Sequence, residues 1–196
     1  MRILHFIWGL GLGGAETMLI DICNAQARAA DVFIIVGNAM IDETVLAALS
    51  SNVKLTLLNR KPGSRNPWPI IKLNRIIRQI NPEVIHCHNE SALRVIWFSK
   101  AKKVLTIHDT RKKLDKMGRR YNQVFAISEA VKKDILNKDD SLHPITIPNG
   151  ITLSKIRTDK KKRIAAISHC ANRPTGTRNK GAGYSNSGAS YFNKTI

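Results

Sequence analysis

The chain has 196 residues, 43% of them hydrophobic, which allows one core of ordinary domain size and excludes a wholly disordered polymer. Lys and Arg number 32 against 14 Asp and Glu, and the resulting net charge of +18 points to an anionic partner: a phosphorylated substrate, an acidic lipid surface or nucleic acid. No apolar run reaches the roughly 18 residues of a membrane span, and Cys23, Cys87 and Cys170 have neither metal nor redox spacing, which fits a reducing compartment.

Met1 to Trp8 is an apolar run of strand length. Arg2 before apolar residues is similar to a short signal peptide, but the run merges into glycines and Glu16 with no small-x-small cleavage site, so it reads as the first strand. Trp8 to Glu16 is a glycine-rich turn. From Ala15 to Arg28, Met18, Leu19, Ile22 and Ala25 recur as on a helix face. Val32–Val36 is the second strand and ends in Gly37-Asn38. Ile41 to Ser50 is a short predicted helix with Asp42 and Glu43 in its first turn. Val53–Leu58 is the third strand. Pro67 and Pro69 open a helix with a broad isoleucine face, and Asn81-Pro82 stops it.

Glu83–His88 is the fourth strand, followed by a predicted helix from Glu90 to Ser99. Lys103–His108 is the fifth, and Thr110 to Arg120 is a basic loop. Gln123–Ile127 is the sixth, and Ser128 is placed to N-cap the helix after it. Pro144–Pro148 is a short last strand before Asn149-Gly150. Alternating strands and helices predict a doubly wound parallel sheet of the Rossmann-like α/β class. Ligands bind such sheets beyond the carboxyl ends of the strands, where Gly13, His88, His108 and Ser128 fall.

Strand, glycine turn and helix suit a phosphate, because the helix start offers unpaired N–H groups and glycine lets the backbone approach. Gly9, Gly11 and Gly14 match G-x-G-x-x-G. A dinucleotide site also requires an acid at the end of the second strand; Gly37-Asn38 stands there and Asp31 is at the wrong end. An NAD-type enzyme is therefore the disfavoured alternative.

Five segments occur in order: Gly13-Gly14-Ala15-Glu16, Asn81 to His88, Thr106-Ile107-His108-Asp109, Ala126 to Val131, and Ile147 to Ile151. With them the chain resembles the amino-terminal half of a family 4 (group 1) glycosyltransferase of GT-B architecture. The resemblance implies two Rossmann-like domains across a cleft, with the acceptor on the amino-terminal side and a nucleotide-diphosphate sugar on the other. It implies transfer with retention, without a metal and without a permanently bound cofactor. Gly13 and Gly14 would lie near the donor diphosphate, His108 beside the transferred sugar with Asp109 next to it, and His88 at the acceptor pocket. Asn149 and Gly150 would lie near the crossover. Thr152 stands where the family often has an acid.

The expected organisation is therefore an acceptor-side domain over residues 1–153. Residues 154–168 would be a crossover, with Ile164–Ser168 starting a second domain, and residues 169–196 a disordered basic tail. The basic pair and glutamates of a donor site are not found, so a truncated product, with a reading-frame change near His169, is expected to be inactive as it stands. Residues 1–156 hold 23 basic and 13 acidic residues, so the body is basic in its own right. Residues 94–133 hold 12 against 3, Arg111-Lys112-Lys113 included. Attachment to anionic lipid would suit a cytoplasmic, membrane-peripheral enzyme of lipopolysaccharide-type or cell-surface glycan synthesis, with a glycan or lipid-linked acceptor. A non-catalytic basic module on a membrane or RNA is the other alternative; aromatics do not interleave with the charges as nucleic-acid binding requires. His86 and His88 share a strand face, but no third ligand is evident in the sequence, and His5 reads as core.

Overall fold

The computed structural model describes residues 1–110, 114 and 116–150. The expectations for Arg111-Lys112-Lys113 and for residues 154–168 and 169–196 lie outside the described residues. In chain order the elements are β1 (Arg2–Ile7), α1 (Gly14–Gln26), β2 (Asp31–Asn38), α2 (Glu43–Ala47), β3 (Lys54–Arg60) and α3 (Trp68–Ile80). They continue with β4 (Val84–Cys87), a 3-10 helix (Glu90–Arg94), β5 (Lys102–Ile107), a second 3-10 helix (Lys116–Arg120), β6 (Gln123–Ala126), α4 (Glu129–Lys138) and β7 (Ile145–Thr146).

The seven strands form one sheet, ordered β3-β2-β1-β4-β5-β6-β7. Every pairing is parallel, as the alternating pattern predicts. Parallel strands covered on both sides must be apolar on both sides, which is why β1 and β2 read as largely apolar runs, with His5 the polar residue inside β1. Alternation divides them between two cores. Ile7, Ile34 and Val36 meet Leu19, Ile20 and Cys23 of α1 and Val45 of α2. Leu4, Phe6, Ile85 and Leu105 belong with Leu73 and Ile77 of α3 and Val131 and Ile135 of α4. The chain leaves β1 toward β2 and β3, then returns to place β4 on its other side. Right-handed crossovers then put α1 and α2 on one face and α3 and α4 on the other. The topological switch point lies between β1 and β4, and sheets of this kind take ligands beyond the carboxyl ends of such a pair.

Two helix expectations need correction. Glu90 to Ser99 is not an α-helix but a 3-10 turn ending at Arg94. Asn74 of α3 takes over the following backbone: its amide donates to Val95 O at 2.8 Å and its oxygen accepts from Trp97 N at 2.7 Å. The segment from Ile41 to Ser50 is helical only over Glu43–Ala47, where Asp42 caps Thr44 N and Val45 N. At the other end Asn24 accepts from Ser50 N at 2.8 Å, turning the chain toward β3. The stop at Asn81-Pro82 holds: Asn81 takes the left-handed conformation at φ 47°. Among the described residues no helix is long and apolar enough to cross a membrane.

On the α1 face, the sheet beyond α1 carries no helix among the described residues. A groove of about 480 Å³ runs there, lined by Gln26, His86, Thr106, Phe125, Ile127 and Ile147, among others.

Candidate functional site at the carboxyl edge of the sheet

The glycine turn is fixed at its base and open at its tip. Trp8 N donates to Asn89 Oδ1 at 2.9 Å and Trp8 Nε1 to Ser91 Oγ at 3.1 Å, which ties the turn to the end of β4. Leu10, fully buried, donates to Met40 O and accepts from Asp42 N, both at 2.7 Å. Beyond it Leu12 is 79% exposed, and a Cβ added at Gly11 or Gly14 would meet nothing within 4 Å. Gly13 is the N-cap of α1 in extended backbone and offers no side-chain cap, whereas Asp42 and Ser128 cap α2 and α4. The first-turn N–H groups of α1 are thus left without a side-chain cap from Gly13, and the acid offsetting that terminus is Glu16 of the same turn. The Glu16 carboxylate folds back beside Gly13, close enough to collide with any Cβ placed there.

The end of β2 explains the missing ribose acid. Gly37 lies under the Trp8 indole, where a Cβ would come within 2.5 Å of Cε3. Asn38 accepts from Arg60 Nη1 at 3.3 Å, and the Arg60 guanidinium sits 5.7 Å from the Trp8 ring. This corner presents a cation and an amide where a dinucleotide ribose wants a carboxylate.

The histidines form a connected chain. His5 on β1 is in register with His86 on β4, and alternation brings His88 to the same face, its ring stacked on His86 at 4.5 Å. Gln26 Oε1, at the end of α1, accepts from His5 Nε2 at 2.8 Å. A neutral His5 then accepts at Nδ1 from His88 Nε2 at 3.2 Å. His88 Nδ1 in turn accepts from His108 Nε2 at 3.3 Å. His86 sits beside the chain with its Nε2 2.7 Å from Thr106 Oγ1. Burial keeps the rings neutral. It holds His5 down to about 4 against the opposing hydrogen bond from Gln26. Burial, then the neighbouring His5 and His108, holds His86 to about 3. His88 is held well below its ordinary value, first by burial and then by its three histidine neighbours.

His88 and His108 are therefore brought together at the ends of β4 and β5. His108 is half-buried; its Nε2 is engaged by His88 and its Nδ1 is shielded from solvent. Asp109 is exposed beside it. Asn149 and Gly150 are exposed and line the sheet-face groove with His86. Sequence reading placed His5 in the core, and it is fully buried; its bond to His88, and the parts of Gln26 and Thr106, were missed. The available signal was a histidine inside an apolar strand, which burial tolerates only with a partner.

His5 also supplies the third nitrogen that sequence reading lacked beside His86 and His88: their ligand atoms lie within 4.8 Å of one another. Zinc at about 2.0–2.1 Å from each nitrogen would hold them within about 4 Å of one another, a separation that His5 Nδ1 and His88 Nε2 already meet at 3.2 Å. A metal would also replace the hydrogen bond between His5 and His88, and this trio contains no carboxylate to offset its charge. Cys23 and Cys87 are buried thiols held in the protonated form, Cys87 pushed up to about 12 by burial.

A family model described as Glycosyltransferase Family 4 matches residues 12–155. Among solved structures, Anabaena HepE in complex with UDP and glucose aligns with TM-score 0.63 at 18% identity, over 88% of this chain and 51% of that one. The same protein with UDP-glucose aligns at 0.61 and 19% identity, over 88% and 50%. A glycosyltransferase from Rickettsia africae ESF-5 aligns at 0.58 and 16% identity, over 86% and 49%. The chain thus spans about half the length of these structures, and at such identities they show a shared fold. No curated protein sequence matches.

Proposed function

The chain belongs to glycosyltransferase family 4, and from that premise we propose that residues 1–153 form the acceptor-side lobe of a retaining transferase that uses a nucleotide-diphosphate sugar. The observation that carries this reading is the open turn at Gly13-Gly14. It leads into an α1 terminus without a side-chain cap, on the carboxyl edge that also holds the His88–His108 pair. In such a transfer positive charge grows on the sugar and negative charge on the departing phosphate. Stabilising that phosphate is the main electrostatic task. Gly13 and Gly14 are read as bordering the diphosphate, His108 and Asp109 the transferred sugar, and His88 the acceptor side. Asn149 and Gly150 are read as leading toward the crossover. For a ring nitrogen of His108 to meet a sugar hydroxyl, its contact with His88 must open.

A helix terminus contributes about 0.3–1 kcal/mol to a nearby charge, against the roughly 8 kcal/mol or more that enzymes supply. The larger share is assigned to a cationic clamp on a second lobe, so this chain alone is expected not to turn over. Transfer is read as metal-independent. The acceptor class is a glycan or lipid-linked glycan at the cytoplasmic face of a membrane, as in cell-surface or lipopolysaccharide-type synthesis.

UDP-glucose, present in the HepE structure, is the first probe. Added to the ¹⁵N-labelled chain, it is expected to shift the amide signals of Gly13, Gly14 and His108 in fast exchange, with no sugar released. Tighter binding of NAD than of UDP-glucose, or shifts confined to other parts of the sheet, would overturn the reading.

A further inference from the structure

The large apolar side chains exposed on the face opposite α1 include Phe98 at 99%, Trp68 at 70%, Trp97 at 46% and Ile71 at 40%. Trp68, Ile71, Arg75 and Arg78 are spaced by three, four and three, so they form one stripe along α3, while Leu73 and Ile77 face the core. Trp97 and Phe98 lie alongside. They share one hollow with Ile71, Arg75 and Arg78 of the stripe and a second with Arg94 and Arg120. Among the described residues neither hollow is lined by an acid.

The exposure of Phe98 is imposed by bonding around it. Asn74 fixes Val95 O and Trp97 N, as described above. Beyond Phe98, Lys103 Nζ donates to Ser99 O at 2.7 Å and Ala101 O at 3.0 Å. The segment is held at both ends, and its apolar tip is directed outward. Holding a phenyl ring in water forfeits its burial energy unless something else covers it.

We propose that this face, with Trp68, Ile71, Trp97 and Phe98 among Arg75, Arg78, Arg94 and Arg120, lies on an anionic lipid bilayer. The chemistry selects a bilayer over a nucleic acid. Indoles partition to headgroup depth, a phenyl ring enters the acyl boundary, and guanidinium groups take phosphate oxygens. A bilayer supplies all three along a helix stripe, whereas RNA would leave Ile71 and Phe98 without an apolar phase. The net charge of +18 acts in the same direction. The proposal deepens the reading of a lipid-linked acceptor and rests on it for its purpose: the bilayer would hold this lobe beside the headgroups that carry the acceptor.

The test is cosedimentation of the full chain with vesicles of phosphatidylcholine alone and of phosphatidylglycerol and phosphatidylcholine in equal parts. The expected result is binding to the anionic vesicles only, with a blue shift of tryptophan emission. Phe98→Ser should weaken it about thirtyfold, from partial burial of one phenyl ring. Arg75→Gln with Arg78→Gln should weaken it about twenty-five-fold, at about fivefold per cation. Arg28→Gln with Lys54→Gln, an equal loss of charge elsewhere, should have a much smaller effect. Equal losses from the two double variants, or no loss from Phe98→Ser, would overturn the proposal. Tighter binding to polyuridine than to vesicles, lost with the arginines and kept in Phe98→Ser, would assign the face to RNA instead. Vesicle binding without any UDP-glucose response at Gly13 or His108 would keep the surface and remove the transferase reading.

Discussion

The buried histidines make a quantitative prediction about acid stability. His5 and His86 titrate near 6.5 in an unfolded chain and are held at about 4 and about 3 in the fold. Their folded values are depressed, so between those values and 6.5 the unfolded state binds more protons. The stability they confer is complete above about pH 6.5 and is lost as pH falls toward 4 and 3. At about pH 5 each of the two contributes a loss on the order of 2 kcal/mol relative to neutral pH. His88, shifted in the same direction, adds to it. Against a typical total of about 5–15 kcal/mol, that is a large share. Carboxylates act in a separate window: Asp139, held to about 2 first by Arg119, loses its contribution only below the ordinary carboxylate range. Urea unfolding followed by circular dichroism should therefore show a much lower midpoint at about pH 5 than at pH 7.5. His86→Gln should flatten that dependence by about 2 kcal/mol, whatever it does to stability at pH 7.5. Equal midpoints at the two pH values, or imidazolium signals from His5 in the folded protein near pH 6, would refute the reasoning.

Ser128→Ala removes the oxygen that accepts from Val131 N at 3.2 Å and should cost about 1 kcal/mol in urea unfolding, while Ser128→Asp should restore most of it. Gly37→Ala forces a methyl against the Trp8 ring, which Ser91 holds in place; a cost of about 1–3 kcal/mol and a changed near-ultraviolet tryptophan spectrum are expected. Gln26→Met removes the acceptor that orients the histidine chain. Two-dimensional ¹⁵N spectra of the imidazoles should show His5, His88 and His108 protonated at Nε2 in the native chain and a mixture of tautomers in the variant. Cys23 and Cys87 should resist iodoacetamide until the chain unfolds, since burial keeps both as thiols.

The sheet was legible because β1 and β2 are largely apolar runs, the later strands are short apolar segments between polar ones, and its breaks are chemically explicit. Gly37-Asn38, Asn81-Pro82 and Ser128 each end or start an element where sequence chemistry places it. What failed was the Glu90–Ser99 helix. Its apolar spacing is consistent with a helix, but the deciding bonds come from Asn74, sixteen residues before Glu90, and no local window contains them. The site was legible in part for the same reason. His88 and His108 each stand at a strand end, a position readable from the chain. The His5–His88 bond depends on β1 and β4 being neighbours in a given register, which spacing along the chain does not state. The broad isoleucine face of α3 divides in the fold: Leu73 and Ile77 are buried, while Ile71 joins Trp68 in an exposed stripe.

The histidine chain and the exposed aromatic stripe are divided between the faces of one sheet, and the strand order accounts for that division. β1 and β4 are adjacent because the chain reverses direction at β1. The same adjacency sets His5 beside His86 and makes their carboxyl ends the switch point of the sheet. The crossovers that produce the reversal send α3 to the opposite face, where its outer stripe meets Trp97 and Phe98 in the connection between β4 and β5. That connection starts at the site edge, with Asn89 and Ser91 holding Trp8, and passes Phe98 before entering β5. Lengthening it at Ser99 by a glycine pair should therefore loosen vesicle binding while leaving the Trp8 contacts with Asn89 and Ser91 intact. A loss of both together would show that the segment behaves as one rigid piece and that the surface and the glycine turn cannot be altered separately.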